Sequence, residues 1–238
     1  ERIPHPRELS FGELSDWSLT SDGASLLTLS DDSRARLWTL RTGESLALRG
    51  WHSAVDLSPD GKVLAGTAGD KVELFEAATG EELLVIELEQ PAFEDQCSLV
   101  AFSPDSKMLL AFYNECAEVL AAWDVETGAL VRNFEGHAAS WISDVKFSHD
   151  STRLYSCNED SFVHVSSCET GDHLFEIECP DPERGALEGL ALSREDNQLA
   201  TFTEVAIHLW DARSGSLRWT SRGFSGIDDC AFSPDSRR

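Results

Sequence analysis

The chain consists of short runs in which apolar positions dominate or alternate with polar ones, separated by clusters of Gly, Pro, Ser and Asp. Examples are Ser98–Phe102, Met108–Phe112 and Ile207–Trp210. Runs of four to six residues are typical of strands, and windows of helix length lack the spacing of an amphipathic helix. Gly and Pro fall between the runs and not inside them, as in sheets. The pattern therefore predicts an all-β chain.

Two turn signatures repeat along the chain with a common period. A triplet that starts with Ser or Thr and ends with Asp or Glu recurs at separations of 38, 45, 45, 45 and 40 residues. It begins at Thr20, Ser58, Ser103, Ser148, Ser193 and Ser233. A second turn ends in a glycine, at Gly43, Gly80, Gly128, Gly171 and Gly215. A repeat near 40–45 residues that contains four runs predicts the four-stranded antiparallel blades of a β-propeller.

The repeats give five complete blades and a partial blade at each end. The complete blades cover about 14–50, 51–90, 97–136, 140–180 and 186–222, and a partial blade covers 226–238. Leu9–Leu14 resembles the last strand of a preceding blade. Because stacked blades bury their faces against neighbours, we expect residues 1–238 to form one incomplete propeller domain. The parent chain is expected to supply about two further blades, giving seven.

Several motifs give the chain its likeness to a known family. These are the Gly136-His137 corner, the Trp123-Asp124 and Trp210-Asp211 strand ends, and the Ser-Pro-Asp turns. Over nearly its whole length the chain resembles the WD-repeat β-propellers. The resemblance implies a buried hydrogen-bond chain of His, Ser or Thr, Asp and Trp in each blade. The matching positions are His137, Ser156 and Asp160, then Thr28, Asp32 and Trp38, then Trp123, and finally Thr201 with Trp210.

No blade keeps all four partners of that hydrogen-bond chain. Ser166 stands where the blade of His137 should have its Trp, and no His precedes the blade of Trp38. Buried polar groups need partners, so an incomplete chain of hydrogen bonds stabilises a blade less than a complete one. We therefore expect stability to depend mainly on apolar packing between blades.

The net charge of the chain limits the classes of binding partner that are expected. With 43 acidic and 19 basic residues, the formal net charge is −24. This argues against nucleic acid and against anionic membranes, since both select basic surfaces. A basic protein or peptide is the partner of complementary charge, and the alternative is a surface that serves only solubility. The six cysteines lack zinc-site spacing, and no signal peptide or apolar run of ~20 residues is visible. An intracellular, cytoplasmic location is expected.

One set of turns is a candidate binding surface. In such a blade the turns before first strands and between second and third strands share one edge, and here they mix acids with aromatic residues. This mixture suits a basic peptide, because aromatic residues supply anchors and cation–π contacts. A chain this acidic also places acids in most loops, which is the competing interpretation. The candidate rim comprises Trp51, Phe93, Glu94, Asp95, Tyr113, Glu115, Trp141, Glu159, Asp181, Glu183 and Phe224.

The sequence contains none of the common catalytic or metal-binding motifs. We therefore expect no enzyme activity, no metal and no cofactor. The leading hypothesis is a non-catalytic protein–protein interaction scaffold, the WD-repeat region of a larger intracellular protein. An alternative is a sensor or regulatory propeller attached to a catalytic or nucleotide-binding domain outside residues 1–238. A propeller that itself holds a catalytic cofactor is a third, for which the sequence offers no ligands.

Overall fold

All regular structure in the computed structural model is β-strand, arranged as five four-stranded antiparallel sheets. This confirms the predicted fold class. The described residues form no helix that could cross a membrane. The structure describes residues 14–20, 22–30, 34–48, 50, 53–88, 97–113, 119–134, 142–158, 161–180, 186–224, 226–227, 229–233 and 235–236.

The first three sheets are called blades 1 to 3. Blade 1 comprises β1 (Leu14–Leu19), β2 (Ser25–Ser30), β3 (Ala35–Thr39) and β4 (Glu44–Ala47). Blade 2 comprises β5 (Val55–Leu57), β6 (Val63–Ala68), β7 (Lys71–Glu76) and β8 (Glu82–Glu87). Blade 3 comprises β9 (Cys97–Phe102), β10 (Met108–Tyr113), β11 (Val119–Asp124) and β12 (Leu130–Phe134). In each blade the strands pair in sequence order, so that every blade is a meander.

Two further sheets, blades 4 and 5, follow the same plan. Blade 4 comprises β13 (Ile142–Phe147), β14 (Arg153–Asn158), β15 (Phe162–Ser167) and β16 (His173–Glu178). Blade 5 comprises β17 (Gly189–Leu192), β18 (Gln198–Thr203), β19 (Ala206–Asp211) and β20 (Leu217–Arg222). The chain divides into two compact units, Glu1–Val131 and Arg132–Arg238, with the boundary inside β12. No described residue after Arg222 lies in a strand, although the turn that starts at Ser233 is formed.

The Ser-x-Asp turn joins the first two strands of a blade through a buried hydroxyl. In blade 2 the Ser58 hydroxyl donates to Asp60 Oδ1 at 2.8 Å and accepts from the Val63 amide at 2.9 Å. Ser103 and Ser148 repeat both bonds in blades 3 and 4. A buried hydroxyl must be satisfied as donor and as acceptor, and in these three turns the acid two residues after the serine supplies the acceptor.

Apolar side chains fill the space between neighbouring blades within each unit. One cluster joins blades 1 and 2, and includes Leu27, Leu64 and Phe75. A second cluster joins blades 2 and 3, and a third joins blades 4 and 5 around Leu190 and Trp210. Each fully buried apolar side chain of this size contributes about 1.5–3 kcal/mol. The core therefore lies between the faces of adjacent blades.

Carboxylates on first strands also link neighbouring blades. Asp56 Oδ2 accepts from the Phe102 amide at 2.8 Å in blade 3, and its Oδ1 accepts from the Ser18 hydroxyl at 2.7 Å in blade 1. In the second unit, Asp144 Oδ2 accepts from the Leu190 amide at 3.1 Å. Each acid thus satisfies a backbone amide on the first strand of the next blade. This linkage was not predicted from the sequence.

The Asp56 carboxyl should make stability depend on pH. Burial raises its pKa from 3.8 to about 6, the nearby Asp16 adds to the rise, and the hydrogen bonds only partly oppose it. A carboxyl with a raised pKa takes up a proton on folding, so its contribution to stability is present at low pH and is lost as the pH rises through about 6. The free energy of unfolding should therefore rise by about 2 kcal/mol between pH 7 and pH 4.5, measured by urea denaturation.

Lowering the pH also weakens the repulsion among the many carboxylates of this acidic chain, and this stabilises the fold as well. A matched variant is needed to separate the two effects. Asp56→Asn has no titrating group at this position. The part of the increase in unfolding free energy that is due to Asp56 should therefore be absent from this variant. Glu126→Gln, which removes an exposed acid, should keep the full rise. Parallel pH profiles for the wild type and Asp56→Asn would contradict the assignment.

Candidate functional site

Two of the predicted hydrogen-bond chains are represented by a Trp–Thr pair. The Trp38 indole N–H donates to Thr28 Oγ1 at 2.9 Å in blade 1. The Trp210 indole N–H donates to Thr201 Oγ1 at 3.0 Å in blade 5, where both residues are buried. These bonds join the second and third strands of one blade. Their role in the structure is to satisfy groups that the blades bury.

The other predicted members of these chains are not brought together in the same way. Trp123 is buried in β11, but its indole N–H donates to no described residue. Ser156 is buried in β14 and faces His164 across the strand pair. Asp32, His137 and Asp160 lie outside the described residues.

The buried histidine of blade 5 is enclosed by structural partners. His208 Nδ1 lies 3.0 Å from Thr220 Oγ1, and its Nε2 lies 3.6 Å from Cys179 Sγ. The ring is fully buried and packs 6.0 Å from the Trp210 ring. In the described part of the chain, no group of three or more His, Cys, Asp or Glu side chains is arranged to hold a metal ion. The imidazole is therefore part of the core of blade 5.

Burial lowers the reactivity of two cysteine thiols, Cys157 and Cys230. Cys157, Cys168 and Cys179 are buried, and Cys230 is half-buried. Burial raises the pKa of the Cys157 thiol and raises that of Cys230 to about 11. Because the thiolate is the reactive species, neither of these two groups is activated for attack at neutral pH.

Most residues of the candidate rim lie outside the described part of the chain. Phe224 is described and 42% exposed, and Tyr113 ends β10 without a described side chain. Outside the described residues lie Trp51, Phe93, Glu94, Asp95, Glu115, Trp141, Glu159, Asp181 and Glu183. The described part of the same edge in blades 4 and 5 carries three exposed acids, Glu178, Glu188 and Glu204. This acidic edge is the set of strand ends at which a basic group could approach.

The opposite edge of blades 4 and 5 contains a cleft that sequence reasoning missed. It has a volume of about 680 Å³ and lies between the turns that follow β13, β17 and β19. His149 closes one side, because its amide and Nδ1 each lie 2.8 Å from a carboxylate oxygen of Asp196. The lining residues, called the arginine cleft below, are Ser148, His149, Asp150, Thr152, Arg153, Tyr155, Arg194, Glu195, Asp196 and Arg213.

Comparison with known proteins places the chain among repeat proteins. The family model described as "WD domain, G-beta repeat" matches residues 128–165. "Eukaryotic translation initiation factor 3 subunit I" of Candida glabrata is 27% identical over 193 residues, and "Guanine nucleotide-binding protein subunit beta" of Oryza sativa subsp. japonica is 26% identical over 185 residues. These alignments cover 71% and 76% of this chain. "Protein groucho" of Drosophila melanogaster is 30% identical over 123 residues, or 51% of this chain.

The alignments span 54% of the initiation factor subunit, 43% of the G-protein subunit and 16% of groucho. The chain thus covers about half, or less, of the length of the curated relatives that it matches. The five meander blades agree with the family match, as do the turns that recur every 38 to 45 residues. The chain is therefore similar to WD-repeat proteins, and its four-stranded meander blades are those of a β-propeller.

Proposed function

We propose that this chain is a non-catalytic protein–protein interaction scaffold, the WD-repeat region of a larger intracellular protein. The observation that supports this proposal is that several side chains with reactive or polar groups are engaged in structural hydrogen bonds. The buried His208 and the Trp–Thr pairs are held in hydrogen bonds within blades, and the first-strand aspartates are held in bonds between blades. The blade edges and loops therefore remain as the surfaces for binding. Two of the relatives are named as subunits of assemblies, which supports a role in assembly.

The exposed face of blade 1 supports the expectation of further blades. Leu14, Trp17 and Leu19 on β1 are 61%, 59% and 48% exposed. Soluble proteins seldom leave a patch of large apolar side chains uncovered, because burial of such a patch is favourable. A further blade of the parent chain would cover this face in the same manner as blade 2 packs on blade 1. Seven blades in the parent remain our proposal.

The binding surface that we propose is the acidic edge. Glu178, Glu188 and Glu204 present exposed carboxylates at the strand ends of blades 4 and 5. A chain of net charge −24 attracts cationic segments from a distance, and acids grouped on one edge then select where they bind. The occupant is a basic peptide segment of a partner protein.

A charge-matched pair of variants tests this surface. Glu178→Gln/Glu188→Gln/Glu204→Gln removes three acids from the acidic edge. Glu82→Gln/Glu126→Gln/Glu169→Gln removes three exposed acids at or beside the turns between the third and fourth strands of blades 2, 3 and 4. The probe is a fluorescent peptide pool rich in Lys and Arg, and its anisotropy gives Kd. The first variant should weaken binding roughly tenfold and the second less than about twofold, because only the first changes the binding edge.

Salt provides the second readout. Raising NaCl from about 0.05 to 0.5 M should weaken binding strongly, since the Debye length falls below the spacing of surface charges. Equal losses for the two charge variants would mean that only net charge matters, and salt-insensitive binding would exclude an electrostatic site.

A further inference from the structure

The arginine cleft combines three guanidinium groups in a chain that is otherwise strongly acidic. Arg153 lines it as a half-buried side chain on β14, and Arg194 and Arg213 line it as exposed side chains from the turns of blade 5. Within the part of the chain that the structure describes, neither Arg194 nor Arg213 forms an ion pair through its guanidinium. Arg218 in the same blade, by contrast, binds Asp211 at 2.7 Å. The cleft therefore offers donors that no neighbouring acid has taken.

The acids of the cleft accept hydrogen bonds from groups in the turns that follow β13 and β17. Asp150 Oδ1 accepts from the hydroxyls of Ser148 and Thr152, each at 2.6 Å, and these bonds lower its pKa. Asp196 binds His149 with both oxygens, as described above. Glu195 Oε2 accepts from Asn197 Nδ2 at 3.1 Å. One oxygen of Asp150, one of Glu195 and both of Asp196 thus accept hydrogen bonds from groups of the turns. None of these bonds comes from the guanidinium groups of Arg194 or Arg213.

The equivalent turns of blades 2 and 3 are built differently. Lys62 stands four residues after the turn serine and binds Asp60 at 2.8 Å, and Lys107 stands at the same place 4.0 Å from Asp105. In blades 4 and 5 this position holds Thr152 and Asn197, which are neutral. The positive charge stands instead at Arg153 and Arg194, where it lines the cleft. The arrangement is therefore specific to this pair of blades.

We propose that the arginine cleft binds the phosphate group of a phosphorylated segment of a partner protein. Guanidinium groups bind phosphate oxygens through two parallel hydrogen bonds, and clusters of arginines recur in phosphopeptide recognition. A phosphate group offers three strong acceptor oxygens, so it can form more charge-assisted hydrogen bonds with a set of guanidinium groups than a carboxylate can. The volume of about 680 Å³ accommodates the phosphate with adjacent peptide. The His149–Asp196 link holds the two turns in place before binding, which limits the ordering cost.

Peptide capture by the full 238-residue chain tests this site. The probes are two bead-bound degenerate nonapeptide pools, one with a central phosphoserine and one with a central serine. The phosphoserine pool should retain at least roughly tenfold more protein, and Arg194→Gln/Arg213→Gln should abolish the difference. Because both arginines are exposed, the variant should keep the wild-type melting curve. Arg41→Gln/Lys62→Gln removes two exposed cations from blades 1 and 2, and it should retain the difference.

Three results would overturn the proposal. Equal retention on the two pools would exclude phosphate recognition, and equal losses in both charge variants would exclude this cleft as the site. Inorganic phosphate, followed by ³¹P NMR, separates the sources of the anion. Line broadening that depends on Arg194 and Arg213, without retention on the phosphoserine pool, would identify a site for free phosphate and not for a protein segment. The basic-peptide experiment uses other variants and another probe, so either proposal can fail alone.

Discussion

Replacement of Trp210 by alanine is expected to lower the free energy of unfolding by about 4 kcal/mol. The indole is 4% exposed and belongs to the apolar cluster between blades 4 and 5. Its removal leaves a cavity between two sheets and also deprives the buried Thr201 hydroxyl of a donor. Urea denaturation, followed by tryptophan fluorescence and by circular dichroism, measures the loss.

Two comparisons separate the causes of that loss. Trp219 in the last strand of the same blade is 49% exposed, and Trp219→Ala should cost less than about 1 kcal/mol. Trp210→Phe keeps most of the packing but loses the bond to Thr201. It should cost about 1 kcal/mol more than Trp123→Phe, because the Trp123 indole N–H donates to no described residue. A similar loss for Trp219→Ala and Trp210→Ala would refute the view that packing between blades dominates.

The strands were predictable because their signals are local. The sequence places the ends of third strands at Trp38, Phe75, Trp123, Ser166 and Trp210, and each observed strand ends one residue later. The apolar runs determine which residues pair, and the Ser-x-Asp and glycine turns determine where the chain reverses. The turn of blade 5 differs in detail, because Asn197 and not Glu195 accepts the Ser193 hydroxyl at 3.1 Å.

The contacts between blades were not predictable in the same way. Asp16 and Asp144 stand four residues before the Thr or Ser that starts their turn, whereas Asp56 stands two residues before its serine. Two residues shift a side chain along a strand without changing its face, so both spacings reach an amide of the next blade. A sequence search for an aspartate at one fixed distance before the turn would therefore miss the shared role of these aspartates. An alignment of the repeats on their turns could have shown that Asp16 and Asp144 occupy the same position of the repeat.

The arginine cleft depends even more on tertiary structure. Arg153, Arg194 and Arg213 come from three separate turns or strands, and in sequence each is flanked by acids or hydroxyl residues. Whether such a guanidinium pairs with the nearest acid depends on the hydrogen bonds that the acid already makes. The sequence lists the charges, but only the turn geometry decides that Asp150 and Asp196 are occupied.

The two edges of blades 4 and 5 therefore differ in what they offer a partner. The acidic edge presents Glu178, Glu188 and Glu204, whereas the other edge presents Arg194 and Arg213, whose guanidinium groups form no ion pair with a described residue. Net charge alone would assign the whole surface to cationic partners. The distribution of satisfied and available groups is the basis on which we propose a basic segment at one edge and a phosphate at the other.

A glycine turn gives the second large expected effect on stability. Gly171→Ala should lower the free energy of unfolding by about 3 kcal/mol. Gly171 has a φ of +83°, which costs an L-residue roughly 1–2 kcal/mol, and a Cβ there would lie 2.5 Å from the backbone carbonyl oxygen of Asn133 in β12. A backbone oxygen cannot rotate away as a side chain can, so the strand must move, at a further cost of about 1–3 kcal/mol. Thermal and urea unfolding measure the change.

Gly43 is the matched control for this substitution. It occupies the corresponding turn of blade 1 with a φ of +73°, but a Cβ there would meet no atom within 4 Å. Gly43→Ala therefore isolates the conformational cost and should destabilise by only about 1 kcal/mol. The difference in unfolding free energy between the two variants measures how tightly the turn of blade 4 packs against β12. Equal effects would mean that backbone conformation alone requires glycine in these turns, and that the close approach to β12 contributes nothing.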